Sequence, residues 1–265
     1  MDQKIKVAVI GTGALGKHHA RIYAELAKEG LIECVGVYDQ NILAAKEVAS
    51  QHRIPLLQTM EEATESAQAL SVVTPTITHF SIASGLLEKG KHLLVEKPMT
   101  DNTEQAKRLV ELARDNNCVL QIGHVERFNP VFTYLNASAK EPKFIETHRL
   151  SPYPARSTDI GVVLDLMIHD LDIVLAFVKS NVVQVDSAGV SVLSKSADIA
   201  NARLKFANGC VANLTVSRIS PERMRKIRVF SGGKEASYIS LDYQKQEGFI
   251  YRVASGGETP SSFWT

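Results

Sequence analysis

The stretch that decides the fold runs from Lys4 to Gly30 and reads KIKVAVIGTGALGKHHARIYAELAKEG. Its first part is a short apolar run that ends in glycine, which is typical of a buried strand in a parallel sheet. Its last part has the apolar spacing of a helix and stops at Gly30, a common helix terminator. The stretch therefore predicts a strand–turn–helix unit at the start of an α/β domain.

The same alternation of strand and helix continues to about residue 124. Apolar runs such as ALSVVTP and KHLLVEKP predict strands, and TEQAKRLVELARDNN predicts a helix. Units of this length predict a parallel sheet with helices on both faces. After Val125 the pattern changes: Asn208-Gly209 predicts a hairpin with a type I′ turn, and Gly232-Gly233 predicts another hairpin. We therefore expect an α/β domain over 1–124 and an α+β domain with a mainly antiparallel sheet over 125–265.

The loop GTGALG has the G-x-G-x-x-G spacing of a dinucleotide-binding fingerprint. One glycine allows the tight turn, another lets a pyrophosphate approach the backbone, and the last allows close packing of helix and strand. The phosphates then lie at a helix N-terminus, where free N–H groups favour negative charge. An ordinary glycine-rich turn is the alternative. The loop predicts a Rossmann domain whose cofactor contacts include Gly11, Thr12, Gly13, Ala14, Leu15 and Gly16.

Asp39 ends the second predicted strand, at about the distance from the loop at which the fingerprint has an acidic residue. A carboxylate there accepts hydrogen bonds from ribose hydroxyls and repels a 2′-phosphate. Gln40 and Asn41 follow, so no Arg or Lys is present to attract that phosphate. Asp39 therefore predicts NAD as the cofactor in preference to NADP, with a simple turn role as the alternative.

The composition is that of a globular protein, with 265 residues, 45% hydrophobic, 22% charged and a net charge of +1. This balance gives no indication of a nucleic-acid or membrane partner. The N-terminal segment leads into a strand without an apolar leader, and the three cysteines have neither metal-site nor disulfide spacing. We therefore expect a cytoplasmic protein without a metal site.

Lys97 lies in the element Glu96-Lys97-Pro98, at the carboxyl end of a predicted strand, where ligands bind in open α/β sheets. The runs VVTPTITHFSIASGLLEKGKHLLVEKP, GTGALGKHHA and GVVLDLMIHDLDIV together resemble the Gfo/Idh/MocA oxidoreductases, in the same order along the chain. The resemblance covers nearly the whole chain. It implies a Rossmann domain that holds a nicotinamide cofactor and a second domain with an open-faced, mainly antiparallel sheet.

The resemblance implies that Lys97, Asp165 and His169 act on a sugar or polyol hydroxyl. We expect His169 to be the general base, because histidine titrates near neutral pH. Asp165 is expected to orient its imidazole, and Lys97 to stabilise the developing alkoxide. An exchange of roles between Lys97 and His169 stays open. The same comparison implies cofactor contacts from Thr74, Pro75, His79, Glu96 and Lys97, with helix packing as the alternative for His79.

The apolar stretch LDLMIHDLDIVLAF, from Leu164 to Phe177, carries four ionisable groups. On a regular α-helix, Asp165, His169 and Asp172 share one stripe, at i, i+4 and i+7. Asp170 points elsewhere and is expected to be a helix-surface charge. Substrate contacts are therefore expected from Lys97, Asp165, His169 and Asp172, and further ones from Arg127, Asn129 and Arg156, for which salt bridging within loops is the alternative.

GHVERFNP and ISLDYQ are similar to a subgroup that includes UDP-N-acetylglucosamine 3-dehydrogenases, linked to lipid A biosynthesis and to a partner aminotransferase. The expected function is NAD-dependent oxidation of a secondary sugar hydroxyl. Open alternatives are a polyol, inositol-type or dihydrodiol dehydrogenase, and a non-catalytic dinucleotide-binding regulator. The resemblance also implies a homodimer or homotetramer, and a second domain truncated at its C-terminal end. The exact sugar, the direction of reaction and the retention of NAD stay open.

Overall fold

The computed structural model describes residues 4–153, 160–233 and 236–252. The chain divides into two compact units, Met1–Gly123 and His124–Thr265, one residue from the division that the sequence predicts. Each unit has its own sheet, with two hydrophobic cores in the first unit and one in the second. Within the described ranges, no helix is both long enough and apolar enough to cross a membrane.

The first unit alternates strands and helices. In chain order its elements are β1 (Lys6–Ile10), α1 (Gly16–Lys28), β2 (Glu33–Tyr38), α2 (Ile42–His52), α3 (Met60–Ser66), β3 (Ala69–Val72), α4 (Thr76–Glu88), β4 (His92–Val95), α5 (Thr103–Asp115) and β5 (Leu120–Ile122). The strands form one parallel sheet in the order β2-β1-β3-β4-β5. The order reverses between β1 and β3, which creates the switch point beside which ligands bind in such sheets.

Two hydrophobic cores cover the opposite faces of this sheet, as the sequence predicts. Val9 of β1 packs with Ala20 of α1 and Val48 of α2. Its neighbours Ala8 and Ile10 belong to the other core, which also includes residues of α4 and α5. Successive strand residues point to opposite faces, so a continuous apolar run is what a strand buried on both sides requires.

The second unit contains a large sheet and two longer helices. In chain order its elements are a 3₁₀ turn (Val125–Phe128), α6 (Pro130–Ser138), β6 (Pro142–Leu150), a π-helical turn (Val163–Met167), α7 (Ile168–Val178), β7 (Val182–Val190), β8 (Ile199–Phe206), β9 (Val211–Ser217), β10 (Met224–Ser231), β11 (Ser237–Asp242) and β12 (Glu247–Arg252). The seven strands have the order β12-β11-β10-β6-β9-β8-β7. Only the β6–β9 pair among them is parallel, so the predicted mainly antiparallel sheet is confirmed.

One face of this sheet carries the core. On β6, Ile145 and Thr147 are buried and pack toward the side of α6 and α7, whereas the intervening side chains are partly exposed. This alternation is characteristic of an antiparallel sheet with one covered face.

The β8–β9 hairpin forms where the sequence predicts it, but its turn is of a different type. A type I′ turn needs positive φ at both central residues. Of Asn208 and Gly209, only Gly209 has positive φ, at +83°, and its N–H donates to the carbonyl oxygen of Phe206 at 2.9 Å. The turn is therefore a wider one in which the single left-handed residue is the glycine.

Candidate active site

Two glycines of the loop between β1 and α1 are required by the fold itself. Gly11 has φ +94°, and a Cβ at this position would overlap the carbonyl oxygen of Val73. A Cβ on Gly16 would overlap the carbonyl oxygen of Gly11. A side chain fits neither position, so the strand, the loop and the helix pack in direct backbone contact.

Gly13 differs, because a Cβ on it would meet no protein atom within 4 Å. Gly13, Ala14 and Leu15 are exposed, and they immediately precede the first residue of α1. The loop backbone is thus uncovered beside a helix N-terminus, whose N–H groups favour an anion. This arrangement fits the pyrophosphate of a dinucleotide, with Gly13 as the glycine of close approach.

Asp39 follows β2 and is bonded to the same loop. Its Oδ2 accepts hydrogen bonds from the backbone N–H of Thr12 (2.7 Å) and from the Thr12 hydroxyl (3.1 Å), and its Oδ1 accepts one from the N–H of Asn41 (2.9 Å). An ionised carboxylate offers about four lone-pair sites, so capacity for a ribose hydroxyl remains. Asp39 therefore fits a ribose-binding carboxylate that also fixes the glycine loop.

Thr74 and Pro75 follow β3, the neighbour of β1 at the switch point, and lead into α4. His79 of α4 is only 1% exposed. Its Nε2 lies 2.8 Å from the carbonyl oxygen of Thr74, and its Nδ1 lies 2.8 Å from the carbonyl oxygen of Pro98. His79 thus joins the turn after β3 to the turn after β4, and a cofactor contact by His79 stays a prediction.

Glu96 and Lys97 follow β4 at the carboxyl edge of the sheet. Glu96 is 7% exposed, its Oε1 lies 3.1 Å from Nε2 of His19, and its Oε2 accepts from the N–H of Lys97 at 3.1 Å. Burial raises the pKa of Glu96, but the bonds from His19 and Lys97 lower it by more, so the pKa lies below its ordinary value. Lys97 is half-buried, and its backbone is held at Glu96 on one side and at Pro98 on the other.

In the second unit, Asp165 lies in the π-helical turn and His169 is the second residue of α7; both are half-buried. The sequence predicts a single regular α-helix across both residues, and this is wrong at Asp165. The π turn has i→i+5 geometry, so it changes the angle between Asp165 and the stripe of His169 and Asp172. Turns of this kind occur frequently at functional sites, and the catalytic roles of Asp165 and His169 stay predictions.

Asp170 is buried, with 3% exposed, and the prediction of a helix-surface charge is wrong. Its carboxylate accepts two hydrogen bonds from the Arg149 guanidinium, at 2.9 and 3.1 Å, and a third Arg149 nitrogen donates to Glu126 at 3.2 Å. Burial acts to lower the pKa of Arg149, but attraction to Asp170 and Glu126 outweighs it and raises the pKa. This buried network ties α7 to β6 and to the 3₁₀ turn.

Asp172 and Arg127 form a second bidentate pair, at 2.6 and 2.7 Å. The Asp172 side chain is 12% exposed and that of Arg127 is 44% exposed. The hydrogen bond from Arg127 to Asp172 raises the pKa of Arg127 above its ordinary value. Salt bridging, the alternative for Arg127, is therefore present in the structure, and substrate contacts by Arg127 and Asp172 stay predictions.

Asn129 has a capping role in the structure. Its Oδ1 accepts from the N–H of Val131 at the start of α6, at 3.0 Å, and its Nδ2 donates to Glu126 at 3.1 Å. Asparagine is a favoured N-cap because its side chain satisfies a free helix N–H. Arg156, the remaining predicted substrate contact, lies outside the described residues.

A fully buried ion pair, Asp198–Arg218, was not predicted from the sequence. Nε of Arg218 donates to Asp198 at 2.9 Å, and Asp198 Oδ2 accepts from three successive backbone N–H groups, those of residues 192–194. Burial acts to raise the pKa of Asp198, but the hydrogen bonds from Ser194, the backbone and Arg218 hold it far below its ordinary value. Arg218 also donates to the carbonyl oxygen of Ile160 at 2.7 Å, just before the π turn that carries Asp165.

These features define a class of protein: a dinucleotide-binding Rossmann unit followed by a unit with a mainly antiparallel sheet. Residues 5–124 match the model of an oxidoreductase family with an NAD-binding Rossmann fold, and residues 122–238 match the GFO/IDH/MocA C-terminal domain. The chain belongs to the Gfo/Idh/MocA oxidoreductase family. It is an NAD-binding dehydrogenase.

Individual members of the family show which kinds of dehydrogenase the chain is similar to. The chain is 38% identical to a UDP-N-acetylglucosamine 3-dehydrogenase of Acidithiobacillus ferrooxidans over 95% of this chain and 78% of that protein. The solved structure of that organism's UDP-N-acetylglucosamine 3-dehydrogenase GnnA superimposes with a TM-score of 0.86, covering 94% of this chain and 81% of the other. A scyllo-inositol 2-dehydrogenase (NAD(+)) of Bacillus subtilis is 26% identical, over 83% of this chain and 69% of the relative.

Proposed function

We propose that this protein oxidises the 3-hydroxyl of UDP-N-acetylglucosamine or of a closely similar nucleotide sugar, with NAD as the oxidant. The observation that carries the proposal is the 38% identity, over 95% of the chain, to a UDP-N-acetylglucosamine 3-dehydrogenase. The inositol-type relative is less similar, at 26%. The product is a 3-keto sugar, a ketone of the kind that an aminotransferase consumes, so we propose such an enzyme as the functional partner.

The first unit supports the choice of NAD. The exposed backbone at Gly13 and the helix N-terminus beside it suit a pyrophosphate, and Asp39 suits an unphosphorylated ribose. When bound, NAD supplies the acceptor for the hydride that leaves the carbinol carbon. The chain's own residues then have to remove the hydroxyl proton and stabilise the oxygen from which it departs.

We assign these tasks to three residues. The imidazole of His169 takes the hydroxyl proton, because a base near neutral pH is most effective there. The carboxylate of Asp165 orients that imidazole and stabilises its charged form. The ammonium of Lys97 donates a hydrogen bond to the oxygen as negative charge develops on it. The C–H bond breaks as the hydride leaves with its electron pair, and the O–H bond breaks as the proton leaves. The electron pair that remains on oxygen then forms the C=O bond.

Arg127 and Asp172 are proposed as secondary substrate contacts. Arg127 is already oriented by two bonds to Asp172, yet 44% of its side chain is exposed. A guanidinium oriented in this way suits the oxygens of a diphosphate. We propose that Asp172 contributes by holding Arg127.

Absorbance at the NADH band tests the proposal directly. Purified protein with NAD and UDP-N-acetylglucosamine is expected to form NADH, whereas myo-inositol at the same concentration is not. The Lys97→Ala variant is expected to lose most of the activity, and retention of full activity would refute the assignment of Lys97.

Two other outcomes lead to different functions. NADH formation with myo-inositol or a dihydrodiol, but not with the nucleotide sugar, would identify another substrate of the same reaction class. Binding of NAD without redox change with any of these compounds would identify a dinucleotide-binding regulator. Replacing NAD with NADP gives a further check, since Asp39 is expected to make NADP the poorer cofactor.

We also propose that the protein forms a homo-oligomer through the exposed face of the second sheet. Four aromatic rings cross adjacent strands of that face, with centroid distances of 5.9 Å (Phe144–Phe230), 4.9 Å (Phe230–Tyr238) and 5.9 Å (Tyr238–Tyr251). Phe249 is 66% exposed beside them. Large exposed apolar patches commonly mark protein interfaces.

Light scattering of Phe249→Lys tests this interface. The variant is expected to dissociate to a smaller species, because a lysine cannot be buried without a partner. Leu43→Lys, at an apolar side chain that is 75% exposed on α2 of the first unit, is the matched control and is expected to keep the parent mass. Equal masses for all three proteins would refute this interface.

A further inference from the structure

We propose that His19 is a positioning residue for Lys97 and acts through Glu96. The inference deepens the proposed function and rests on the catalytic role given there to Lys97. His19 lies on α1, three residues after Gly16, whereas Lys97 lies after β4, so a motif-by-motif analysis does not connect them.

A continuous set of hydrogen bonds joins α1 to the turn that carries Lys97. Tyr23 Oη lies 2.7 Å from Ser71 Oγ, and Ser71 Oγ lies 3.2 Å from His19 Nδ1. His19 Nε2 lies 3.1 Å from Glu96 Oε1, and Glu96 Oε2 accepts the N–H of Lys97 at 3.1 Å. The bonds thus connect His19 of α1 to the backbone of Lys97 through Glu96, and Ser71 of β3 joins His19 to Tyr23 of the same helix.

The Glu96 carboxylate fixes the direction of its bond with His19. An ionised carboxylate can only accept, so His19 Nε2 carries a hydrogen and donates to Glu96. With this tautomer of a neutral imidazole, Nδ1 can accept from the Ser71 hydroxyl, whose oxygen can accept from the Tyr23 hydroxyl. Every polar group in the set is satisfied in this arrangement, and a partly satisfied network would be costly at this depth.

Close packing limits the movement of the Glu96 carboxylate on one side. A Cβ on Gly123, which follows β5, would lie 2.8 Å from Oε1 and 3.0 Å from Cδ of Glu96. The carboxylate is therefore held against the Gly123 backbone on one side, bonded to His19 on another and bonded to Lys97 on the third. Because His79 also holds the carbonyl oxygen of Pro98, the Lys97 backbone is fixed on both flanks.

Through this network, His19 connects the helix that follows the glycine loop to the turn that carries Lys97. Helix α1 begins at the glycine loop, so the element that binds the pyrophosphate is bonded to the turn that carries the catalytic lysine. Removing the His19 imidazole leaves Glu96 with one fewer donor and frees it to move. The Lys97 ammonium is then less well placed to stabilise the alkoxide, and the cofactor-binding loop is unchanged.

The experiment is a double-mutant cycle between His19 and Lys97. His19→Ala is expected to lower kcat by roughly tenfold, a size typical of residues coupled in one hydrogen-bonded network, and to change the Kd for NAD by less than about twofold. His19→Gln is expected to recover part of the loss, since its amide can still donate to Glu96. His18→Ala, at the adjacent exposed histidine, is the matched control and is expected to keep the parent kcat.

The decisive comparison repeats His19→Ala in a Lys97→Ala background, measured by single-turnover kinetics where steady-state turnover is too slow. If His19 acts through Lys97, the additional loss is less than about twofold. A full additional tenfold loss, or an unchanged kcat in the single variant, would overturn the proposal. Loss of NAD binding in both His19 variants would also overturn it, by showing a role in holding the loop. Full activity of Lys97→Ala would refute the catalytic role given to Lys97, whereas failure of the parent protein to form NADH with the nucleotide sugar would refute the proposed function.

Discussion

Carboxylates in the two units have different kinds of hydrogen-bond partner. In the first unit, Asp39 and Glu96 lie at strand ends and are bonded to backbone N–H groups, to a threonine hydroxyl and to a histidine imidazole. In the second, buried carboxylates face arginines from distant segments, as in Asp198–Arg218 and Asp170–Arg149. Carboxylates at strand ends can still accept hydrogen bonds from a ligand. Carboxylates that are paired with arginines instead hold distant segments of the chain together. The first unit is thus arranged for binding, and the second maintains its helix by ion pairs.

The largest effect is expected from breaking the Asp198–Arg218 pair. Asp198→Asn keeps the shape but leaves the Arg218 charge buried and uncompensated, which costs about 3–5 kcal/mol of unfolding free energy. Urea unfolding of the two proteins measures the loss. Glu247→Gln is the control, because the Lys245–Glu247 pair has side chains 67% and 62% exposed and such pairs contribute about 0–1 kcal/mol. Equal losses of unfolding free energy in Asp198→Asn and Glu247→Gln would contradict a special structural role for the buried pair.

The next effect separates two neighbouring aspartates of α7. Asp170→Asn is expected to cost about 3 kcal/mol, because both Asp170 and Arg149 are almost fully buried. Asp172→Asn is expected to cost about 1 kcal/mol, since its partner Arg127 is 44% exposed and screened by solvent. Thermal or urea unfolding of both variants shows which one loses more unfolding free energy. A larger loss for Asp172→Asn would show that Asp172, and not Asp170, is the more important for stability.

Much of the fold could be predicted because its signals are local. Runs of apolar residues, terminal glycines and the β8–β9 turn gave the strand–helix alternation and the antiparallel sheet. Helix α3 was missed although Thr59 and Glu62 have capping-box spacing and Thr59 accepts from the N–H of Glu62 at 3.0 Å. The π turn was missed because the helical pattern of LDLMIHDLDIV gives no indication of an inserted residue.

The site was predicted less completely, because ion-pair partners are distant along the chain. A helical projection gives the direction of Asp170 but does not reveal that Arg149 of β6 lies opposite. His19 did have a usable signal in the sequence. His19 and Tyr23 are four residues apart, so they share one side of α1, next to the buried face formed by Gly16, Ala20 and Ala24. Gfo/Idh/MocA motifs predict Lys97, Asp165 and His169 as catalytic residues, whereas the bond that holds the Lys97 backbone becomes apparent only in the structure.

A third prediction tests whether the first unit is arranged for a ligand. Gly13→Ala is expected to leave unfolding free energy within about 0.5 kcal/mol of the parent, because its Cβ meets no protein atom. The added methyl occupies the approach to the loop backbone, so the Kd for NAD is expected to rise at least tenfold, or about 1.4 kcal/mol. Calorimetric titration and thermal unfolding measure the two quantities.

Gly11→Ala is the matched variant within the same loop. Its positive φ and the overlap with Val73 are expected to destabilise the unit by about 1–3 kcal/mol. Similar stability losses at Gly11 and Gly13 would show that both glycines serve the fold alone.

The smallest effect concerns Glu96 and its dependence on pH. The folded-state pKa of Glu96 lies below its ordinary value of about 4.3, so the ionised group stabilises the fold above that pH. This contribution is lost as the pH falls through the folded-state pKa. Glu96→Gln is therefore expected to cost about 1 kcal/mol at pH 7, and the difference from the parent is expected to narrow below about pH 4. Urea unfolding at a series of pH values measures it.

Glu25→Gln is the control for this titration, because Glu25 pairs with Arg21 on the exposed surface of α1. Such a helix-surface pair contributes about 0.2–0.5 kcal/mol, so that variant is expected to follow the parent across the series. A Glu96→Gln difference that stays constant from pH 7 into acid would mean that the carboxylate's shape, and not its charge, holds the Lys97 turn. The bond from His19 would then be a packing contact, and the contrast between a ligand-binding first unit and an ion-paired second unit would not include Glu96.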